Sequence, residues 1–173
     1  MSEAPAETMW EGRFIRVLKQ GSWEYVSRAR HIRAVVVLAE YEGKIVLVEQ
    51  QRIPIGRRCL ELPAGLIGDD DENADVEDTA IKELGEEAGF TASRIERLGE
   101  YYSSPGMVSE SFTLVRAHGL ARIGEGGGLA GHEEIVVHLV KREAIADFVE
   151  ERRAAGIGID VRLLLLLAGP LLA

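Results

Sequence analysis

With 173 residues, the chain has room for one domain of ordinary size around a real hydrophobic core, and a single domain over residues 1–173 is expected. Its 46% hydrophobic, 28% charged and 6% aromatic residues exclude a disordered or fibrous chain. A formal charge of −9 argues against a nucleic-acid duplex as the main partner, because clustered Lys and Arg hold phosphate backbones; small anions stay possible where metal ions intervene. In chain order, the polar, acidic MSEAPAETMWEG lacks the basic-then-apolar layout of a secretory signal and reads as a frayed arm over about residues 1–12. Loose alternation from Phe14 to Val26 around Gln20-Gly21-Ser22 predicts a polar-edged hairpin. Valine-rich Ile32–Glu40 and period-two Lys44–Gln50 predict a buried hairpin turning at Tyr41-Glu42-Gly43. Arg58–Leu62 reads as a short extended piece ending at Pro63, and 69–75 as an acidic loop. Asp75 is placed to cap a helix from Val76 to about Ala88, with Asp78 in a box-like position and Gly89 set to stop it. Leu98–Ser103 and Ser111–Ala117 predict strands flanking a loop with Pro105 and Gly106. The run 124–131 is too glycine-rich for regular structure and is expected to be mobile. Ile135–Val140 predicts another strand, and Lys141–Arg153 and Asp160–Leu167 have helical spacing. Leucine-rich 163–173 is about half the length needed to span a bilayer and contains Gly169 and Pro170, so it predicts a terminal core helix. The single cysteine, Cys59, cannot form an intrachain disulfide and fits a reducing cytoplasm. This order of elements, without internal repeats, suggests a mixed-sheet α/β sandwich.

The chemistry gathers on the predicted helix. Glu83, Glu86 and Glu87 stand three and four residues apart, which puts their side chains on neighbouring positions of one face. Like charges repel there unless cations compensate, and hard divalent ions such as Mg²⁺ take carboxylate oxygens, often with bridging phosphates as further ligands. From the cluster alone, a solvated acidic face is the commoner explanation.

The flanking residues shift that balance. Glu61-Leu-Pro-Ala-Gly-Leu66 precedes the helix and Lys82-Glu-Leu-Gly-Glu-Glu-Ala-Gly-Phe90 ends it, and the pair resembles the Nudix box, a loop-helix-loop that binds metal and diphosphate. The resemblance implies a Nudix fold: a mixed β-sheet in an α/β/α sandwich, here with an N-terminal antiparallel β extension. It implies Glu83 and Glu87 as metal ligands, Glu86 as a ligand directly or through water, and the Ala64 carbonyl as a further ligand. Mg²⁺ is the implied cofactor, with Mn²⁺ as a substitute. Such ions neutralise the diphosphate, polarise a phosphoryl oxygen and acidify an attacking water. Two departures stand out. Lys82 occupies the position of the box arginine and gives up the planar two-pronged hydrogen bonding of guanidinium. Counting from Gly65, the acidic loop carries about three extra residues, so the upstream box glutamate falls on either Asp71 or Glu72.

Ser103-Ser-Pro-Gly-Met-Val-Ser-Glu110 is similar to the mark of the ADP-ribose pyrophosphatase branch, which implies that Glu110 contacts metals or the terminal ribose. Phe14 and Trp23 resemble the paired aromatics that sandwich adenine in that branch, and stacking a base between rings is physically reasonable. Arg28 and Arg52 match positions where the branch holds base or diphosphate, and guanidinium suits phosphate geometry. The resemblance also implies a homodimer with shared sites, through N-terminal strands over about residues 13–30. The general base in this branch comes from a loop ahead of the last strand, here Gly131-His-Glu-Glu-Ile135; Glu133 is the first candidate, Glu134 the second and Glu125 an outside one.

Other motifs fail on their own terms. Asp69-x-Asp71-x-Asn73 starts like a calcium-binding loop, but Ala74 and Ala80 occupy its required glycine and glutamate positions. His132-Glu133 starts like a zincin motif, but Val136 stands where the second histidine belongs, and 124–131 lacks the Gly-Lys-Ser/Thr end of a P-loop. The Nudix resemblance implies metal-dependent hydrolysis of a nucleoside diphosphate sugar, ADP-ribose first. The alternatives are another nucleotide sugar or dinucleotide as substrate, or a non-catalytic nucleotide-sugar sensor.

Overall fold

Backbone pairing begins earlier than the polar N-terminal sequence predicts. The computed structural model describes residues 5–29, 32–68, 74–129 and 134–172. Strand β1 (Glu7–Glu11) pairs antiparallel with β2 (Ile15–Gln20), which turns at Gly21 into β3 (Trp23–Arg28). Every residue of β1 is exposed, so ladder hydrogen bonds rather than burial hold it, and the arm expected to fray is a strand over residues 7–11.

Strands β4 (Arg33–Tyr41) and β5 (Lys44–Arg52) form the expected hairpin, yet they pair only at its tip, Glu40 with Ile45 and Tyr41 with Lys44. Beyond the tip they splay. β5 runs along β6 (Arg57–Glu61), while β4 runs along β7 (Ala64–Ile67). The chain crosses between them at Leu62-Pro63, where the Val37 N–H donates to the Pro63 carbonyl at 2.8 Å. Helix α1 (Val76–Ala88) follows, with Asp75 as N-cap accepting from the Val76 N–H at 2.7 Å and Gly89 closing it in the left-handed region. β8 (Phe90–Thr91), β9 (Arg94–Tyr102), β10 (Ser111–His118), β11 (Ala121–Arg122) and β12 (Val136–Lys141) come next. The helical spacing from Lys141 resolves into a 3₁₀ turn at Arg142–Ala144 and α2 (Ile145–Ala154). After the two-residue β13 (Gly158–Ile159), a further 3₁₀ turn at Val161–Leu163 leads into α3 (Leu164–Leu172). Among the described residues, no helix is long and apolar enough to cross a membrane.

The main sheet runs β13-β6-β5-β4-β10-β9, with β12 also on β5 and β7 on β4, and mixes parallel β4–β10 pairing with antiparallel neighbours. Period-two side chains divide its core between two faces. Val35, Val37, Val46 and Val48 meet Val76, Ala80, Leu84 and Ala88 of α1, whereas Val36, Ile45, Leu47 and Leu60 meet Ile145, Val149 and Leu167 of α2 and α3. Burial on both faces explains the near-continuous valine run of β4. The result is the expected α/β/α sandwich, and Leu163 and Leu167 are the buried contacts of the leucine-rich end.

Candidate active site

The stripe of α1 that packs on the sheet is not wholly apolar. Val76, Thr79, Ala80, Leu84, Glu87 and Ala88 are buried at helical spacing, so Glu87 lies in the interface rather than on a solvated face. Only 5% of Glu87 is exposed, and its carboxylate accepts the Ala64 N–H at 2.9 Å. Glu83, one turn earlier, lies on the same strand: a Cβ at Gly65 would fall 2.1 Å from the Glu83 carboxyl carbon, so a side chain at 65 would force the Glu83 carboxylate aside. Glu83, Glu86 and Glu87 line one cavity of about 680 Å³ with Arg52, Ala64, Gly65, Thr79 and Lys82, within the size range of small-molecule sites.

Arg52 reaches this cavity from the end of β5. Its Nε and Nη2 both donate to Glu61, each at 2.7 Å, in a two-pronged pair. Glu61 is 1% exposed and also faces Arg162 Nη2 at 3.5 Å, while Arg162 is gripped by Asp160 at 2.6 Å. The hydrogen bond to Glu61 raises the Arg52 pKa above its ordinary value against an opposing effect of burial. A fixed positive charge thus stands opposite the glutamates. Sequence reasoning quoted Glu61 but gave it no role; the signal was a charged residue opening an otherwise apolar Leu-Pro-Ala-Gly turn.

The other candidates fall elsewhere. Arg28 donates through Nε to Glu110 at 2.5 Å, and both line a separate cavity of about 260 Å³ with Arg16, Arg33 and Ser109. Within one chain, Glu110 is therefore not brought to the acidic helix. Phe14 precedes β2 and Trp23 opens β3 opposite Gln20, so their backbones lie roughly 20 Å apart along the hairpin at about 3.3 Å per residue. They stand at opposite ends of the hairpin, and both are exposed, at 46% and 63%. Glu134 is exposed just ahead of β12, and its carbonyl accepts from Arg58 Nη2 at 3.3 Å. Glu133, Asp71 and Glu72 lie outside the described residues. Glu125 pairs with Arg122 at 2.9 Å and lines a different cavity from the one that holds Glu83, Glu86 and Glu87.

The glycine-rich run departs most from expectation. Instead of a mobile loop, residues 123–128 are bonded to the end of α1: Gly127 N–H donates to the Glu87 carbonyl at 2.9 Å, and Gly128 N–H to that of Glu86 at 3.0 Å. The reason is chemical, because the last carbonyls of a helix lack intrahelical partners and need donors from elsewhere.

The donor set suits a hard divalent ion. Among the described residues, no three acidic, histidine or cysteine side chains converge closely enough to enclose an ion by themselves. Mg²⁺ does not require such a cage, since it keeps several waters and takes one or two carboxylates together with substrate phosphates. Glu83, Glu86 and Glu87, facing one cavity, match that mode, and Gly65 leaves the room for it.

At 36% identity over 124 residues, the chain is similar to the ADP-ribose pyrophosphatase of Bacillus subtilis (strain 168), covering 71% of this chain and 65% of that protein, just under two thirds of its length. It is 32% identical over 155 residues to the methanol dehydrogenase activator of Bacillus methanolicus, with 85% and 82% covered. The crystal structure of an ADP compounds hydrolase superimposes with a TM-score of 0.72 at 21% identity, over 98% of this chain and 93% of that one, which shows the fold. Residues 29–154, from just before β4 to the end of α2 with the acidic helix at their centre, match the NUDIX domain, and the chain belongs to the Nudix family.

Proposed function

We propose that the protein hydrolyses the pyrophosphate bond of a nucleoside diphosphate sugar, with ADP-ribose and water giving AMP and ribose 5-phosphate. The observation that carries this reading is the cavity in which the buried Glu87, with Glu83 and Glu86, faces the anchored Arg52. A carboxylate in a helix–sheet interface costs stability, so its place there calls for a function. Mg²⁺, with Mn²⁺ as a substitute, would supply charge neutralisation of the diphosphate and a more acidic bound water. Glu83 and Glu87 would hold it, with Glu86 directly or through water and the Ala64 carbonyl nearby. Arg52 would bind a phosphoryl oxygen, its guanidinium already oriented by Glu61, and Lys82 would add positive charge at the rim. Proton removal from the attacking water falls to Glu133, or to Glu134.

The adenine subsite is assigned to Phe14 and Trp23 of two different chains, with Arg28 and Glu110 contributing to base or ribose. The placement of Phe14 and Trp23 at opposite ends of one hairpin supports a twofold homodimer, as do the exposed Met9, Trp10 and Ile15 on the same N-terminal sheet. A cytoplasmic setting fits the buried lone thiol of Cys59. Similarity to the Bacillus subtilis ADP-ribose pyrophosphatase and to an ADP compounds hydrolase supports the choice of an ADP-containing substrate.

The test is chromatography of products after incubation with Mg²⁺ and ADP-ribose, beside other nucleotide sugars, dinucleotides and nucleoside triphosphates. AMP formed from ADP-ribose and abolished by chelator is the expected result. Binding of these compounds without cleavage of any would replace the enzyme with a sensor.

A further inference from the structure

We propose that the glycine-rich run is a backbone strap that holds the metal-binding end of α1 in place, and that Gly126 is its positioning residue. This rests on the reading of Glu83, Glu86 and Glu87 as the metal site.

Helix α1 ends immediately after Glu86 and Glu87, so the carbonyls of those two residues belong to the last turn, where no intrahelical N–H reaches. Gly89 N–H takes the Gly85 carbonyl at 3.0 Å. The next two carbonyls in order, those of Glu86 and Glu87, are taken by Gly128 and Gly127. In return the Gly89 carbonyl accepts from the Ile123 and Gly124 N–H groups at 2.8 and 3.1 Å. The strap therefore both donates to and accepts from the helix end. Its far side is tied as well, because the Gly127 carbonyl accepts the Ile135 N–H at 3.1 Å at the entry to β12. Arg122 braces it with a hydrogen bond from Nε to the Gly124 carbonyl at 3.1 Å and an ion pair to Glu125, over the face of Phe90.

Only glycine permits this docking at position 126. Its φ is +72°, and an added Cβ would meet Ala88 C at 2.5 Å, Ala88 Cα at 2.7 Å and the Glu87 carbonyl oxygen at 2.7 Å. These are helix backbone atoms and cannot rotate aside. Any side chain at 126 therefore pushes the strap off the residues whose carboxylates face the cavity. Gly124 differs: an added methyl there meets nothing within 4 Å. The strap also delivers Leu129 to the cavity wall, so its displacement would reach the substrate side as well.

The experiment compares Gly126→Ala with the parent and with Gly124→Ala, using Mn²⁺ binding to the substrate-free protein, followed by electron paramagnetic resonance, and amide exchange at Gly127 and Gly128 by NMR. Loss of a residue that orients metal ligands characteristically weakens metal binding about 10–100-fold. Gly126→Ala is expected to raise the Mn²⁺ dissociation constant by at least about tenfold and to expose both amides. Gly124→Ala is expected to bind Mn²⁺ as the parent does. With ADP-ribose as substrate, the loss should appear in kcat and in the Mn²⁺ concentration needed, rather than in KM at saturating metal. A folded Gly126→Ala that binds Mn²⁺ like the parent overturns the strap and leaves the metal site standing. A parent that binds no Mn²⁺ while both amides are protected overturns the metal site, and the positioning role with it. Should Gly126→Ala not fold, Arg122→Ala decides: it removes the brace without a clash, and an unchanged Mn²⁺ affinity together with unchanged amide protection overturns the proposal.

Discussion

Glu61→Gln isolates what the buried carboxylate does for Arg52. The substitution keeps the shape and one carbonyl acceptor but removes the charge and turns one of the two Arg52 hydrogen bonds into a donor facing a donor. Two guanidinium groups, Arg52 and Arg162, would then lose the counter-charge they share, leaving Asp160 on the Arg162 side and the more distant Glu87 on the Arg52 side. Removing one partner of an enclosed ion pair costs about 3–5 kcal/mol. Here the Arg52 side chain is 41% exposed and Arg162 keeps Asp160, so solvent and a second partner recover part of the loss. A cost of about 2–3 kcal/mol follows, below the enclosed-pair figure. At about 2–4 °C per kcal/mol for a chain of this size, the midpoint of thermal unfolding should fall by about 4–12 °C. Scanning calorimetry reads this directly, and urea unfolding with an unchanged slope would confirm that the denatured state is unaffected. Because the same change frees the guanidinium beside the cavity, KM for the diphosphate substrate should rise more than kcat falls. A Glu61→Gln protein that melts within about 1 °C of the parent, with the same KM, would refute both the energetic and the orienting role.

Glu87→Gln keeps an oxygen to accept the Ala64 N–H while removing one negative charge, so the fold should persist and turnover should drop about 10²–10³-fold, the scale of losing one transition-state electrostatic contact; circular dichroism and steady-state rates together check it, and full activity would dismiss the acidic cluster as the metal site. Burial pushes the Cys59 thiol up to about 12, helped by the charges of Glu61 and Asp160; the native protein should therefore resist a thiol-specific disulfide reagent at pH 8 and react with it only in denaturant. Hydrogen bonding from Arg97 depresses Glu77 to about 2, so the folded carboxyl sits below its unfolded value. That contribution to stability is present above the unfolded value near 4.5 and is lost as pH falls toward 2. Thermal unfolding of Arg97→Ala should therefore lose less stability between pH 5 and pH 2 than that of the parent, and an equally steep acid limb would contradict the assignment.

Much of the fold was legible because it is written in local periodicity. The valines of β4, the alternation of β5, and the Asp75 and Gly89 boundaries of α1 each state their own element, and the structure places them within a residue or two. What escaped depends on partners distant in sequence. β1 has five exposed residues and exists because β2 lies beside it, so no burial pattern could announce it. β7 holds Ala64-Gly-Leu-Ile67, too short to show a period, and its extended form is set by pairing with β4. The Glu61 partner of Arg52, nine residues on, and the Glu110 partner of Arg28, eighty-two residues on, belong to the same class, as does the docking of 124–128 on α1.

The acidic cluster shows why sequence and structure carry different parts of one inference. In sequence, three glutamates at helical spacing are equally a solvated face and a metal site, since both need the residues on one side of a helix. Burial supports the metal-site reading. A solvated face would turn away from the sheet, whereas Glu87 shares the stripe of Val76, Ala80, Leu84 and Ala88 that packs on β4, β5 and β7. A carboxylate in that stripe loses hydration, and the Ala64 N–H is among the groups that compensate it there. The glycine at 65, without which Glu83 could not lie against β7, is a second concession by the packing in the same place. Two independent sacrifices of packing converging on one cavity are what a site selected for charge requires, and a solvated acidic face requires neither.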